Sequence, residues 1–190
     1  MKIDRKLNLV IPIDKQDGST AYVHVMPVSR EVFEQHFLLL GRAFNAMYAQ
    51  GLGIIGPRMA SLLLKKVASE MSLDNPDALV APLLSEMRRL ASVLAPRDGG
   101  GYEIVPWQTA VDKKMFDEED TREVENVMTF FMVSWHMHKR AELSGMIEMA
   151  VGLGAQQSTS LSPTEFANSL TTSTDAATTV RKATASSIPS

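Results

Sequence analysis

LNLVIPIDKQDGSTAYVHVMPV, residues Leu7 to Val28, sets the character of the chain: two β-prone apolar runs flank a single turn signal. Asp17-Gly18 tolerates the positive φ angles of a two-residue hairpin turn, so residues 5 to 28 are expected to form a β-hairpin. That turn would set Ile13 opposite Tyr22, Ile11 opposite His24, Leu9 opposite Met26 and Leu7 opposite Val28. One face of the ribbon is then almost continuously apolar, while Val10, Val23 and Val25 load the other. A lone two-stranded ribbon is marginal in water, so it must lean on helices or on another subunit. Pro12 has no ladder donor and should turn its nitrogen to an edge.

Beyond the ribbon the pattern is helical. Ser29 suits an N-cap, Glu31 complements the positive end of the helix, and Phe33, Phe37, Leu40, Phe44 and Met47 form one stripe at spacings of four and three. Gly51, Gly53 and Gly56 end this helix, and Pro57 opens the next, where Met59, Leu63, Val67 and Met71 share a face. Asn75-Pro76 starts another, which Pro82 should restart or kink and which is expected to run through Leu83, Leu84, Met87, Leu90 and Leu94. The stretch 96–106, with Gly99-Gly100-Gly101, reads as a loop or a hinge between helical halves. Asp117 to Asp120 announces the longest helix, with Val124, Met128, Phe131 and Trp135 on its buried side and Leu143, Met146 and Ala150 prolonging it.

From Gly152 onward, 16 of 39 residues are Ser or Thr and only four are charged. Such a composition buries too little apolar area to offset its ordering entropy, so a disordered or extended tail is expected. Ser162-Pro163-Thr164-Glu165 is an exception, matching a capping box that would start a short helix through Leu170. The expected architecture is α+β and mostly helical: a hairpin packed on a helical bundle over 1–151, then a low-complexity tail over 152–190.

Composition narrows the function classes. The 190-residue chain is 45% apolar, carries a net charge of −3 and has no cysteine, which excludes thiol nucleophiles and thiolate metal sites and fits a soluble globular protein. The start, Met1 to Ile13, lacks the long apolar core and small-residue cleavage site of a signal peptide. The longest uncharged stretch in the body of the chain, ahead of the tail, is Ala43 to Pro57 with 15 residues, too few to cross a bilayer, so no membrane partner is expected. Scattered basic pairs and slight acidity argue against a nucleic-acid partner.

Motifs of chemistry are weak. Gly51-Leu-Gly53-Ile-Ile-Gly56 has dinucleotide spacing, but no strand precedes it and no βαβ unit surrounds it, so a helix-to-helix turn is the better reading. His136 and His138 point to opposite sides of a helix and cannot hold one ion together. His24 and His36 sit in apolar patterns and read as partly buried, hydrogen-bonded side chains. Seven acids between Asp112 and Glu125 alternate with Lys113, Lys114 and Arg122, which describes a solvated helix start rather than a catalytic dyad. No catalytic residue, metal ligand or cofactor site is therefore assigned. Twelve methionines, among them Met47, Met59, Met71, Met87, Met128, Met132, Met146 and Met149 on apolar helix faces, suit either core filling or an adaptable groove.

The hairpin Leu7–Ile13 and Tyr22–Val28, the capped helix from Ser29, the compact helical set and the polar tail around Leu161-Ser-Pro-Thr-Glu-Phe166 together resemble the tail assembly chaperones of long-tailed bacteriophages. The resemblance implies a non-enzymatic protein of the host cytoplasm that coats and solubilises the tape measure protein and recruits tail tube subunits. It further implies a C-terminally extended product made by frameshifting, to which the low-complexity end would be a linker. Such a role needs an exposed apolar helix face, either Phe33, Phe37, Leu40 and Phe44 or Met128, Phe131, Met132 and Trp135. Homo-oligomerisation stays open. A ring-forming virion subunit, such as a head-tail connector, and a helical enzyme whose site assembles from distant residues are the alternative classes.

Overall fold

β1 (Asn8–Asp14) and β2 (Thr20–Val25) run antiparallel and close at Lys15 and Ser19. The Lys15 N–H donates to the Ser19 carbonyl at 2.8 Å, and the Gly18 N–H donates to the Lys15 carbonyl at 3.0 Å. Gly18, at φ +80°, takes the left-handed conformation that a three-residue hairpin loop requires. The loop is thus one residue longer than the expected turn, and the register shifts with it: Leu9 pairs with Val25, Ile11 with Val23 and Ile13 with Ala21. Because strand side chains alternate with period two, this slip exchanges faces. Leu9, Ile11 and Ile13 share the main core with Val23 and Val25, whereas Tyr22 and His24 go to the opposite side with Val10. The alternation of ladder bonds points the Pro12 nitrogen away from β2, beyond the part of β1 that is paired on its outer side.

The computed structural model describes residues 7–15, 18–50, 57–137 and 157–170. Within them, α1 (Arg30–Gln35) and α2 (Phe37–Ala49) replace the single expected helix, with the break at His36. The Ser29 Oγ accepts from the Val32 N–H at 3.3 Å, so the predicted cap is in place. The break changes the phase of the helix: α2 buries Leu39, Leu40, Ala43 and Met47 and turns Phe37 outward. α3 (Ala60–Met71) follows a 3-10 turn at Pro57–Met59 and buries Ala60, Leu64, Val67 and Ala68, one position round from the expected stripe. α4 (Pro76–Arg89) starts as anticipated, with the Asn75 Oδ1 accepting from the Ala78 N–H at 3.0 Å, and continues across the solvent-facing Pro82.

The helix expected to reach Leu94 stops at Arg89, and the chain turns into β3 (Ala91–Pro96) and β4 (Tyr102–Pro106). Residues 96–106 are therefore the turn and outer strand of a second hairpin. Its loop repeats the first: the Arg97 N–H donates to the Gly101 carbonyl at 3.1 Å, the Gly100 N–H donates to the Arg97 carbonyl at 3.0 Å, and Gly100 has φ +89°. Ala91, Val93 and Ala95 face the helices and Leu94 faces the other way, a period-two pattern hidden in a run that also reads as a helix tail.

Two helices complete the main layer. α5 (Trp107–Asp112) buries Trp107 and Ala110, and α6 (Glu118–Trp135) is capped by Asp117, whose Oδ1 accepts from the Asp120 N–H at 2.8 Å. α6 touches α2, α3, α4 and β1, and every residue from Met128 to Ser134 is buried, so this helix is the spine of the core.

The tail reading is corrected in part. β5 (Gln157–Thr159) pairs antiparallel with Asn8–Val10, giving a sheet in the order β4-β3-β2-β1-β5, and α7 (163–170) lies over its second face. The capping box forms as expected, with the Ser162 N–H donating to Glu165 Oε2 at 2.8 Å and the Glu165 N–H to Ser162 Oγ at 3.3 Å. Phe166 and Ala167 are buried against Val10 and Leu94. The tail departs from its composition here because one aromatic meets an apolar sheet face that needs a cover. The protein is α+β and mostly helical, with the hairpin built into a five-stranded antiparallel sheet.

Candidate functional site

Phe37, Gly41, Phe44 and Tyr48 follow one another at helical spacing along the outer side of α2. Phe37 is 53% exposed and Tyr48 63%, and Leu38 beside them is 67% exposed. The Phe33 ring of α1 meets Phe37 edge-on at 5.8 Å, and the Phe44 and Tyr48 ring centroids lie 6.3 Å apart. A side chain added at Gly41 would touch Met137 Cε at 3.9 Å, so this glycine leaves a shallow notch bordered by the end of α6. The stripe is held from behind by Leu39, Leu40, Ala43 and Met47, all buried. A rigid helix thus presents aromatic rings to solvent, the kind of patch that marks contact with another molecule.

Two histidines frame this surface. His136 donates from Nε2 to the Val28 carbonyl at 3.1 Å, and its ring centroid lies 4.6 Å from that of Phe33. His36, at the junction of α1 and α2, is half-buried, and burial pushes its pKa below the ordinary value.

Of the first stripe that the sequence proposes, only Phe37 is exposed; Phe33 and Phe44 are half-buried against the core, and Leu40 belongs to it. Met128, Phe131 and Met132 are sealed in α6, and Trp135 is half-buried with its ring 5.4 Å from that of Phe131. Met47 and Met87 are likewise buried, so these methionines fill core rather than line a groove. Leu38 and Tyr48 were not singled out by periodicity. Tyr48 stands four residues after Phe44, which is the signal that finds it.

The remaining candidates have structural roles or fall outside the described residues. His24 is fully buried and hydrogen-bonded at 2.9 Å to the Leu161 carbonyl. In the acidic run, Asp117 caps α6, Glu125 pairs with Arg88 at 2.9 Å, and burial, together with the charge of Asp117, raises the pKa of Asp120. Gly51–Gly56, His138, Leu143, Met146, Met149 and Ala150 lie outside the described residues, as do 171–190. Among the described residues, no three His, Asp or Glu side chains are grouped to hold a metal ion, and no helix is long and apolar enough to cross a membrane.

A second surface feature was invisible to motif reading. Where α3 begins against α6, a cleft of about 390 Å3 is lined by Arg58, Met59, Leu62, Lys65, Arg122 and Glu125. Its floor is fixed by Asn126, whose Oδ1 accepts from the Ser61 N–H at 3.0 Å. Among the described residues, Arg58, Lys65 and Arg122 take part in no ion pair, whereas Glu125 is held by Arg88. Comparison with known proteins returns no matching family, curated protein or solved structure.

Proposed function

We propose that this protein is a phage tail assembly chaperone that holds the tape measure protein in the host cytoplasm, keeps it soluble and helps to recruit tail tube subunits. The observation that carries the reading is the exposure of Phe37, Leu38 and Tyr48, with the half-buried Phe44 between them, on a helix whose opposite side is locked into the core. An amphipathic partner helix laid along α2 would place its own apolar residues, at i, i+3, i+4 and i+7, against these rings. Each of these side chains is already partly covered, so sealing the remainder contributes on the order of 1 kcal/mol apiece. A grip on this face therefore needs several such contacts along a long partner rather than a deep pocket. The hairpin, the capped helix and the Ser/Thr-rich end add the sequence resemblance to the physical argument.

Co-expression with a long helical tape measure protein tests the reading. The wild-type chain should co-purify with the partner and keep it soluble, and the double substitution Phe37→Ser with Tyr48→Ser should release the partner while leaving the chaperone folded. A chain that purifies alone as a fixed ring, with or without those substitutions, would overturn the proposal in favour of a structural virion subunit.

A further inference from the structure

We infer that the cleft between α3 and α6 takes an acidic, amphipathic segment of a partner polypeptide, with carboxylates on Arg58, Lys65 and Arg122 and apolar side chains on Met59 and Leu62. The inference goes beyond the α2 stripe and uses a separate surface. Three cations from two stretches of chain that are distant in sequence line one cleft, and the only acid lining it, Glu125, is engaged by Arg88 at 2.9 Å. Glu118 and Glu119 occupy the first turn of α6, where they complement the positive end of the helix, and neither they nor Glu123 forms an ion pair with Arg122. Lys15, Arg42, Arg97, Lys113 and Lys114 are likewise without an ion pair among the described residues, and what sets Arg58, Lys65 and Arg122 apart is that they line one cleft beside exposed apolar side chains.

The choice of a polypeptide over a small anion follows from the apolar members. Leu62 is 56% exposed and Met59 39%, and they stand within one turn of Lys65 and Arg58. A free phosphate would satisfy the cations and leave both side chains wet, whereas an amphipathic segment covers them as it pairs its carboxylates. The whole chain carries a net charge of −3, so long-range forces do not draw in an acidic ligand. Attraction must arise locally, at this cluster.

The test uses the full chain and a fluorescein-labelled amphipathic helical peptide with a leucine face and a glutamate face, beside a matched peptide carrying lysine for glutamate. The glutamate peptide is expected to bind, and to weaken as salt rises. The triple charge reversal R58E, K65E, R122E should weaken it by about tenfold or more, because each exposed ion pair contributes little by itself and three act together. R58Q and K65Q, tested singly, and Leu62→Ser should each weaken it to a smaller extent, which keeps the test sound if the triple variant folds poorly. The Phe37→Ser, Tyr48→Ser variant should bind the peptide as the wild type does, and this separates the cleft from the stripe. Equal binding of the lysine peptide, loss of binding only in the stripe variant, or full competition by millimolar inorganic phosphate would each overturn the inference.

Discussion

His24 Nε2 lies 2.9 Å from the carbonyl oxygen of Leu161, across 137 residues of sequence, and Asn8 Nδ2 donates to the same oxygen at 2.9 Å. A carbonyl only accepts, so neutral His24 carries its proton on Nε2, while its buried Nδ1 has no hydrogen-bond partner among the described residues. One backbone oxygen thereby ties the segment 157–170 to both central strands of the first hairpin. Phe166 completes the attachment, its ring edge-on to Tyr22 at 5.7 Å.

This geometry makes docking of 157–170 sensitive to acid. Burial holds the pKa of His24 below its ordinary value, against the opposing effect of the Leu161 hydrogen bond. An undocked His24 would take up a proton near pH 6.5, whereas the docked one resists, so docking is fully stabilised above about pH 6.5 and weakens as pH falls below it. Glu165, whose carboxyl is held low by the Ser162 N–H, adds a second loss only in the more acidic carboxylate range. Hydrogen exchange of the 158–166 amides should therefore lose protection as pH falls below about 6.5. His24→Leu should abolish that dependence, and unchanged protection in the wild type would refute the linkage.

Asn126→Ala should destabilise the protein by about 2 kcal/mol in urea unfolding, because it strips the acceptor from the Ser61 N–H at the start of α3. A change of less than about 0.5 kcal/mol would mean that water replaces the amide there without cost.

The second hairpin turn separates backbone strain from crowding. Neither Gly99 nor Gly100 has a neighbour that an added Cβ would meet, but only Gly100 sits at positive φ. Gly100→Ala is expected to cost about 1 kcal/mol. Gly99→Ala should be close to neutral, and equal effects at the two sites would contradict the loop geometry.

Leu38 and Leu40 test which side of α2 is core. Leu38, 67% exposed, should tolerate alanine with a change within about 0.5 kcal/mol. Leu40, fully buried, should lose about 3 kcal/mol on the same substitution. Equal costs would mean that the stripe proposed to hold a partner is not a free surface.

Local chemistry was legible wherever one side chain decides it. Ser29 and Asn75 cap helices because a short oxygen-bearing side chain beside a helix start can reach a free amide whatever surrounds it, and Asp117, expected only as an acid of the first turn, caps α6 for the same reason. The Ser162–Glu165 capping box is self-contained in the same way. The first hairpin was readable too, but its register was not, because Lys15 rather than its neighbour closes the loop and a single residue exchanges the two faces.

The amino-acid sequence by itself determined an α+β chain with an N-terminal hairpin, a set of capped helices and a long central helix. Tertiary structure decided the rest. Ala91 to Pro96 became a strand because β2 offered it a ladder, and Phe166 was drawn from a polar tail because a second sheet face lay open. Likewise, which of Leu38, Leu40, Met59 and Met132 meets solvent depends on where neighbouring elements pack. Burial is a property of the assembled layers, and an apolar stripe in one dimension cannot say which of its residues the other layers will cover.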